Sequence, residues 1–189
     1  MNKKSFYIVN ALTLYRLLAA PVLLYLVFTD NLHIFKWLLP ISFLTDMLDG
    51  FLARRLKVMT AFGAMLDSIA DDSTIVVAMI AAFVFKLEFM KAEMLPLIIL
   101  FGLFLLQTAY ALYKYKKLSS FHTYLAKFAA LVQGIFLILL FILDEPSYFL
   151  FIAAAIITAL DLIEEIILVY LIPSWQMNVK GLYWVTKRK

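Results

Sequence analysis

The run Leu95-Pro96-Leu97-Ile98-Ile99-Leu100-Phe101-Gly102-Leu103-Phe104-Leu105-Leu106-Gln107-Thr108-Ala109-Tyr110-Ala111-Leu112-Tyr113 carries 19 residues without a charge. As a helix it rises about 28 Å, close to the roughly 30 Å of a bilayer's hydrocarbon core. Five more apolar runs of comparable length flank it, at Ile8–Phe28, Ile34–Phe51, Ala64–Phe85, Tyr124–Leu143 and Tyr148–Ile172. Hydrocarbon offers a backbone no hydrogen-bond partner, so each run must satisfy its own N–H and C=O groups, and no stretch alternates polar and apolar residues as barrel strands do. The expected fold is therefore all-α, a six-transmembrane-helix bundle.

Composition supports that reading. Of 189 residues 65% are hydrophobic and 16% aromatic, with only five glycines, well outside the range of ordinary soluble domains. The runs follow one another with short connections and no Ser/Gly/Pro-rich linker, which predicts a single integral membrane domain over 1–189. There is no cysteine, which excludes disulfides, thiolate metal sites and Cys nucleophiles.

Lys and Arg set the orientation. With the N-terminus inside, one face collects Lys3, Lys4, Arg16, Arg54, Arg55, Lys57, Lys114, Lys116, Lys117, Lys127, Lys180, Lys187, Arg188 and Lys189, and the other only Lys36, Lys86 and Lys91. Both termini are expected to be cytoplasmic. The first run, with Arg16 inside it and apolar residues continuing past Pro21, reads as a retained span and not as a signal peptide. The net charge of +4 then reflects topology and contact with anionic membrane lipids, and nucleic acid is not an expected partner.

Against this background four carboxylates stand out: Asp46-Met47-Leu48-Asp49-Gly50-Phe51-Leu52-Ala53-Arg54, eight residues, then Gly63-Ala64-Met65-Leu66-Asp67-Ser68-Ile69-Ala70-Asp71. Asp46, Asp49, Gly50 and Ala53 fall on one helical stripe, and Gly63, Asp67 and Asp71 on another. Acids at membrane depth are costly unless compensated. Hard oxygen ligands in this number suit two divalent cations, Mg²⁺ or Mn²⁺, shared with substrate phosphates. Gly50, Ala53 and Gly63 let a ligand lie against the helix backbone, and Arg54 supplies a planar phosphate donor.

The pattern Asp-x-x-Asp-Gly-x-x-Ala-Arg, eight residues, Gly-x-x-x-Asp-x-x-x-Asp resembles the signature of the CDP-alcohol phosphatidyltransferases at all eight specified positions. The opening Asn10-Ala11-Leu12-Thr13-Leu14-Tyr15-Arg16 also resembles that family's first helix. The resemblance implies phospholipid biosynthesis by transfer of a substituted phosphate from a CDP-linked donor, usually CDP-diacylglycerol, to a small alcohol with release of CMP. It assigns Asp46, Asp49 and Asp67 as metal ligands and Asp71 as the catalytic base and a further ligand. Asp46, Asp49, Gly50, Ala53, Arg54, Gly63 and Asp67 become the nucleotide-binding surface. A multi-pass cell (inner) membrane location with the site near the cytoplasmic face is expected, and homodimerisation is a further expectation of the resemblance. Where glycerol-phosphate-using members often read Asp-Pro-x-Ala-Asp-Lys, this chain has Asp67-Ser68-Ile69-Ala70-Asp71-Asp72, a form closer to phosphatidylserine synthases, so the acceptor stays open. Asp72 lies about 100° around the helix from Asp71; a hydrated acid near a helix start is its simpler reading.

The remaining polar residues speak less clearly. Lys114, Lys116 and Lys117 read as topology signals, whereas Thr123 and Lys127, one turn apart, are acceptor-binding candidates. Asp161 and Glu165 share a face of the last run. They either bind the acceptor or form ion pairs with Lys127 or Arg16. A transporter or cation pathway is the alternative function, but it accounts only for the carboxylates, and neither repeats nor Gly/Pro-interrupted midplane helices are evident.

Overall fold

A computed structural model describes the backbone of residues 3–56, 61–119, 121–176 and 179–187, and the side chains of those stretches apart from 3–13, 16, 46–56, 61–69, 71 and 72. Among the described residues there are eight helices and no strand: α1 Lys3–Phe28, α2 Leu32–Leu56, α3 Ala61–Phe85, α4 Leu87–Ala92, α5 Met94–Tyr115, α6 Tyr124–Ile142, α7 Tyr148–Leu171 and α8 Leu182–Thr186. All six apolar runs lie on helices. α5 and α6 are long and apolar enough to cross a membrane. α7 has 24 residues, but every 18-residue window within it contains Asp161, Glu164 and Glu165. The described apolar stretches of α1, α2 and α3, at Leu17–Phe28, Leu32–Thr45 and Ser73–Phe85, are shorter than a span.

The chain divides into two compact units. The first comprises Met1–Met90 and Leu140–Asp144. In it α1 packs against both α2 and α3, which also touch each other. Small buried residues, Ala19 and Ala20 on α1 and Ala70, Ala78, Ala81 and Ala82 on α3, let these backbones approach. Phe35 closes one end: its ring meets Phe141 edge-on at 4.9 Å and Phe85 at 5.7 Å. Asp30 ends α1 in the left-handed region, φ 53°. There its N–H donates to Val27 O at 3.2 Å and the Asn31 N–H to Leu26 O at 2.9 Å, a Schellman stop that turns the chain into α2 within three residues.

The second unit comprises Lys91–Leu139 and Glu145–Lys189. α5 packs on α7, and α7 on α8. Ala111, Phe121, Leu168, Val169, Ile172 and Val179 form the core at this end. The last carbonyls of α7 have no helical partners of their own and are taken by α5: Lys114 Nζ donates to Val169 O at 2.8 Å and Tyr170 O at 3.0 Å, and Tyr115 OH to Ile172 O at 2.8 Å. The outer faces are apolar, with Leu95 69%, Phe101 61% and Phe149 84% exposed. Water would penalise such a surface, whereas lipid matches it.

Candidate functional site: an acid-bearing helix pair and a lysine-lined cavity

The motif occupies the C-terminal half of α2 and the N-terminal half of α3, so Asp46, Asp49, Gly50, Ala53 and Arg54 stand on one helix and Gly63, Asp67 and Asp71 on the next. Residues 57–60 between them can reach at most about 18 Å, half the roughly 37 Å length of either helix. The two contacting helices therefore run antiparallel from neighbouring ends. At about 1.5 Å per residue, Asp49 lies about 10 Å along α2 from Leu56, and Asp67 about 9 Å along α3 from Ala61. Asp46 and Asp71 are each about 15 Å from those ends. Counted from the connection, the four acids thus fall into two tiers, about 10 and about 15 Å along their helices. Their side chains lie outside the described set, as do those of Gly50, Ala53, Arg54 and Gly63.

The stripes continue inward with two residues that sequence reasoning missed. Ser42 on α2 and Thr74 on α3, each about 20 Å from the connection, are 1% and 4% exposed. Among the described residues Ser42 Oγ has no hydrogen-bond partner, while Thr74 Oγ1 donates to Ala70 O at 2.9 Å. Extending the acid stripes by a further i−4 from Asp46 on α2 and i+3 from Asp71 on α3 would have found them.

The second unit holds the other candidates. Glu165 is gripped by Gln107, whose Nε2 donates to its Oε2 at 2.6 Å, and by the Ser119 hydroxyl at 3.1 Å. Glu164 Oε1 accepts the Leu182 N–H at 2.8 Å. Asp161 Oδ1 and Glu164 Oε2 are buried without a hydrogen-bond partner among the described residues. Among the described residues no three His, Cys, Asp or Glu side chains are placed to hold a metal ion, and Gln107, Ser119 and Glu165 form a hydrogen-bonded polar network between α5 and α7. Removing its neutral anchor should be costly. Gln107→Leu is expected to destabilise the chain by about 2 kcal/mol, the scale of a lost charge-assisted hydrogen bond. A melting curve in detergent superimposable on wild type would refute this.

Thr123 is fully buried, and its Oγ1 accepts the Ala126 N–H at 3.0 Å, capping α6. One turn on, Lys127 places its Nζ 5.6 Å from the Tyr124 ring centroid. Lys127 also lines a cavity of about 290 Å³ together with His122, Tyr124, Val179 and Lys180.

Two helices long and apolar enough to cross a bilayer, with an acid motif divided between the contacting helices α2 and α3, are the marks of a helical membrane protein. A family model described as CDP-alcohol phosphatidyltransferase matches residues 6–169, and the chain belongs to that family. It is 40% identical over 74 residues to a "CDP-diacylglycerol--glycerol-3-phosphate 3-phosphatidyltransferase" of Wigglesworthia glossinidia brevipalpis, covering 38% of this chain and 41% of that protein. It is 37% identical over 79 residues to the protein of the same name from Escherichia coli (strain K12), covering 40% of this chain and 43% of that one. The matches thus span about two fifths of the length of these curated relatives. No solved structure matches.

Proposed function

We propose that this chain transfers a phosphatidyl group from CDP-diacylglycerol to a phosphorylated alcohol, glycerol 3-phosphate in the first instance, releasing CMP. The observation that carries the reading is the pair of acid tiers on α2 and α3 in a chain of this family. The relatives named above are called glycerol-3-phosphate enzymes, which supports that acceptor. Ser68 and Asp72, which depart from the common glycerol-phosphate form, make serine the competitor to test against it.

The donor set fits two divalent ions, Mg²⁺ or Mn²⁺: four carboxylates in two tiers, held by Asp46, Asp49, Asp67 and Asp71. When bound, such ions supply charge neutralisation at the pyrophosphate oxygens. Asp71 takes the proton of the acceptor hydroxyl, whose oxygen forms a bond to the lipid-side phosphorus as the bond to the bridging oxygen breaks and CMP departs. Gly50, Ala53 and Gly63 leave the helix surfaces open to the nucleotide, and Arg54 meets its phosphate. Lys127 is assigned to the acceptor, with Thr123 fixing the helix start from which it projects; Asp161 and Glu165 act from the polar network of α7.

Around this chemistry the chain forms one domain over 1–189. Six spans place both termini and the acid tiers at the cytoplasmic face of a multi-pass cell membrane, in keeping with the Lys and Arg distribution. Purified protein given CDP-diacylglycerol and Mg²⁺ or Mn²⁺ is expected to release CMP with glycerol 3-phosphate and not with serine or inositol. CMP release with none of these acceptors would overturn the proposal.

A further inference from the structure

We infer that Ser42 is a positioning residue for Asp46: its buried hydroxyl donates a hydrogen bond to the Asp46 carboxylate and holds it in the orientation that meets a divalent ion. Ser42 lies outside the acid motif, and its role rests on the proposed function, in which Asp46 is a metal ligand.

Register is the first reason. Phe35, Leu39 and Ser42 are 0%, 0% and 1% exposed and share one face of α2. The same alternation of four and three residues carries that face on to Asp46, Asp49 and Ala53. Ser42 is thus the position at which an apolar stripe becomes an acidic one. Helical side chains lean toward the N-terminus, over the turn before their own Cα. On α2, position 42 is the place over which an acid at 46 leans, whereas Asp49 is two turns away from it.

The fate of the hydroxyl proton is the second. Inside a helix such a proton commonly goes back to the carbonyl four residues before it. Thr45 and Thr74 donate in this way to Ile41 O and Ala70 O, each at 2.9 Å, and Thr158 to Ala154 O at 2.7 Å. Ser42 does not: Leu38 O stands in the same relation to it, yet among the described residues Ser42 Oγ has no partner. At 1% exposure solvent does not take the proton either. A buried hydroxyl left unpaired is destabilising, and alanine would fill the position with better helix propensity. One turn along the stripe, Asp46 offers oxygens that accept. Thr45, its immediate neighbour, does not compete, because its proton is shared between Ile41 O and Ser42 O.

Chemistry is the third. A carboxylate that binds an ion through one oxygen keeps lone pairs on the other, and a donor there fixes its rotamer before the ion arrives. A hydroxyl suits this task because it carries no charge to compete with the ion, as a lysine would. Ser42 also stands on the side of Asp46 away from Asp49 and from the α2–α3 connection, so it orients the ligand from behind.

Mn²⁺ titration of the full chain in detergent, read by the paramagnetic resonance of the free ion with CDP-diacylglycerol saturating, tests the inference. Ser42→Ala should weaken Mn²⁺ binding about tenfold or more, the scale of a lost outer hydrogen bond to a metal ligand. In an Asp46→Ala background the same substitution should change Mn²⁺ affinity by less than about twofold, because the group it orients is gone. In an Asp67→Ala background it should weaken binding about as much as in wild type. Melting curves without metal, taken on the same preparations, report packing separately. A Ser42→Ala effect on Mn²⁺ of equal size with and without Asp46, or early melting with unchanged Mn²⁺ affinity, makes Ser42 a packing residue and overturns the inference. If Asp46→Ala weakens Mn²⁺ binding and Ser42→Ala does not, this inference falls alone. If Asp46→Ala and Asp67→Ala both bind Mn²⁺ as wild type does, the metal site of the proposed function falls and takes the role of Ser42 with it.

Discussion

Replacing Asp71 with asparagine is expected to leave affinity for the CDP-donor within about twofold while lowering CMP release at least about 10²-fold, the scale of a lost general base. The asparagine amide keeps the size of the carboxylate and an oxygen to offer, but it cannot accept the acceptor's proton. Asp49→Asn should behave differently. It removes a charge from the tier nearer the α2–α3 connection, so both donor binding and turnover should fall. Equilibrium binding of a CDP-donor and initial rates of CMP release, measured on the same preparations, distinguish the two. Should Asp71→Asn abolish donor binding while Asp49→Asn spares it, the two roles must be exchanged.

The second large effect concerns the divalent ion. Stripping the protein with a chelator should abolish CMP release and weaken CDP-donor binding about 10²-fold, because donor oxygens and the Asp46, Asp49 and Asp67 carboxylates would together hold the ions. Linkage demands reciprocity: saturating donor should raise metal affinity by the same factor. Asp46→Asn and Asp67→Asn should each reduce that factor. Titrating Mn²⁺ with and without donor measures it. A donor affinity indifferent to chelator, with both variants matching wild type, would sink the two-metal site.

Much of the helical framework was legible because hydropathy and helix length measure the same membrane. The run at Tyr148–Ile172 became α7 Tyr148–Leu171, and the run ending at Phe28 became a helix ending at Phe28. The second run was read as stopping at Phe51, but α2 continues to Leu56. Ala53, Arg54 and Arg55 are good helix formers that an apolar count cannot see. The short helices α4 and α8 escaped for the opposite reason, since six and five residues are too few to display a period.

The acid tiers were half legible. Spacing put the acids on two stripes, but their distances from the connection depend on where α2 ends and α3 begins. Partners across helices were the least legible. Two readings of Glu165 are open from the sequence, acceptor binding or an ion pair with Lys127 or Arg16; among the described residues its carboxylate accepts from Gln107 and Ser119, and the Arg16 side chain lies outside them. A neutral amide in an apolar run gives no sign of which helix it will face. Thr123 was read as a ligand-binding hydroxyl because it shares a face with Lys127; its burial and its capping bond to Ala126 are set by tertiary packing that spacing does not encode.

The like distances of the acids from the α2–α3 connection, counted along each helix, make the two helices the scales of a vernier. Each added residue turns a stripe by about 100° and slides it about 1.5 Å. A single insertion between Asp49 and Leu56 would therefore rotate one scale against the other and lose both coincidences together. The same insertion within 57–60 leaves each scale intact, at a small cost in loop-closure entropy. The span from Asp46 to Asp71 is in this sense a ruled length, fixed by phase within the helices and free to change only at the gap between them.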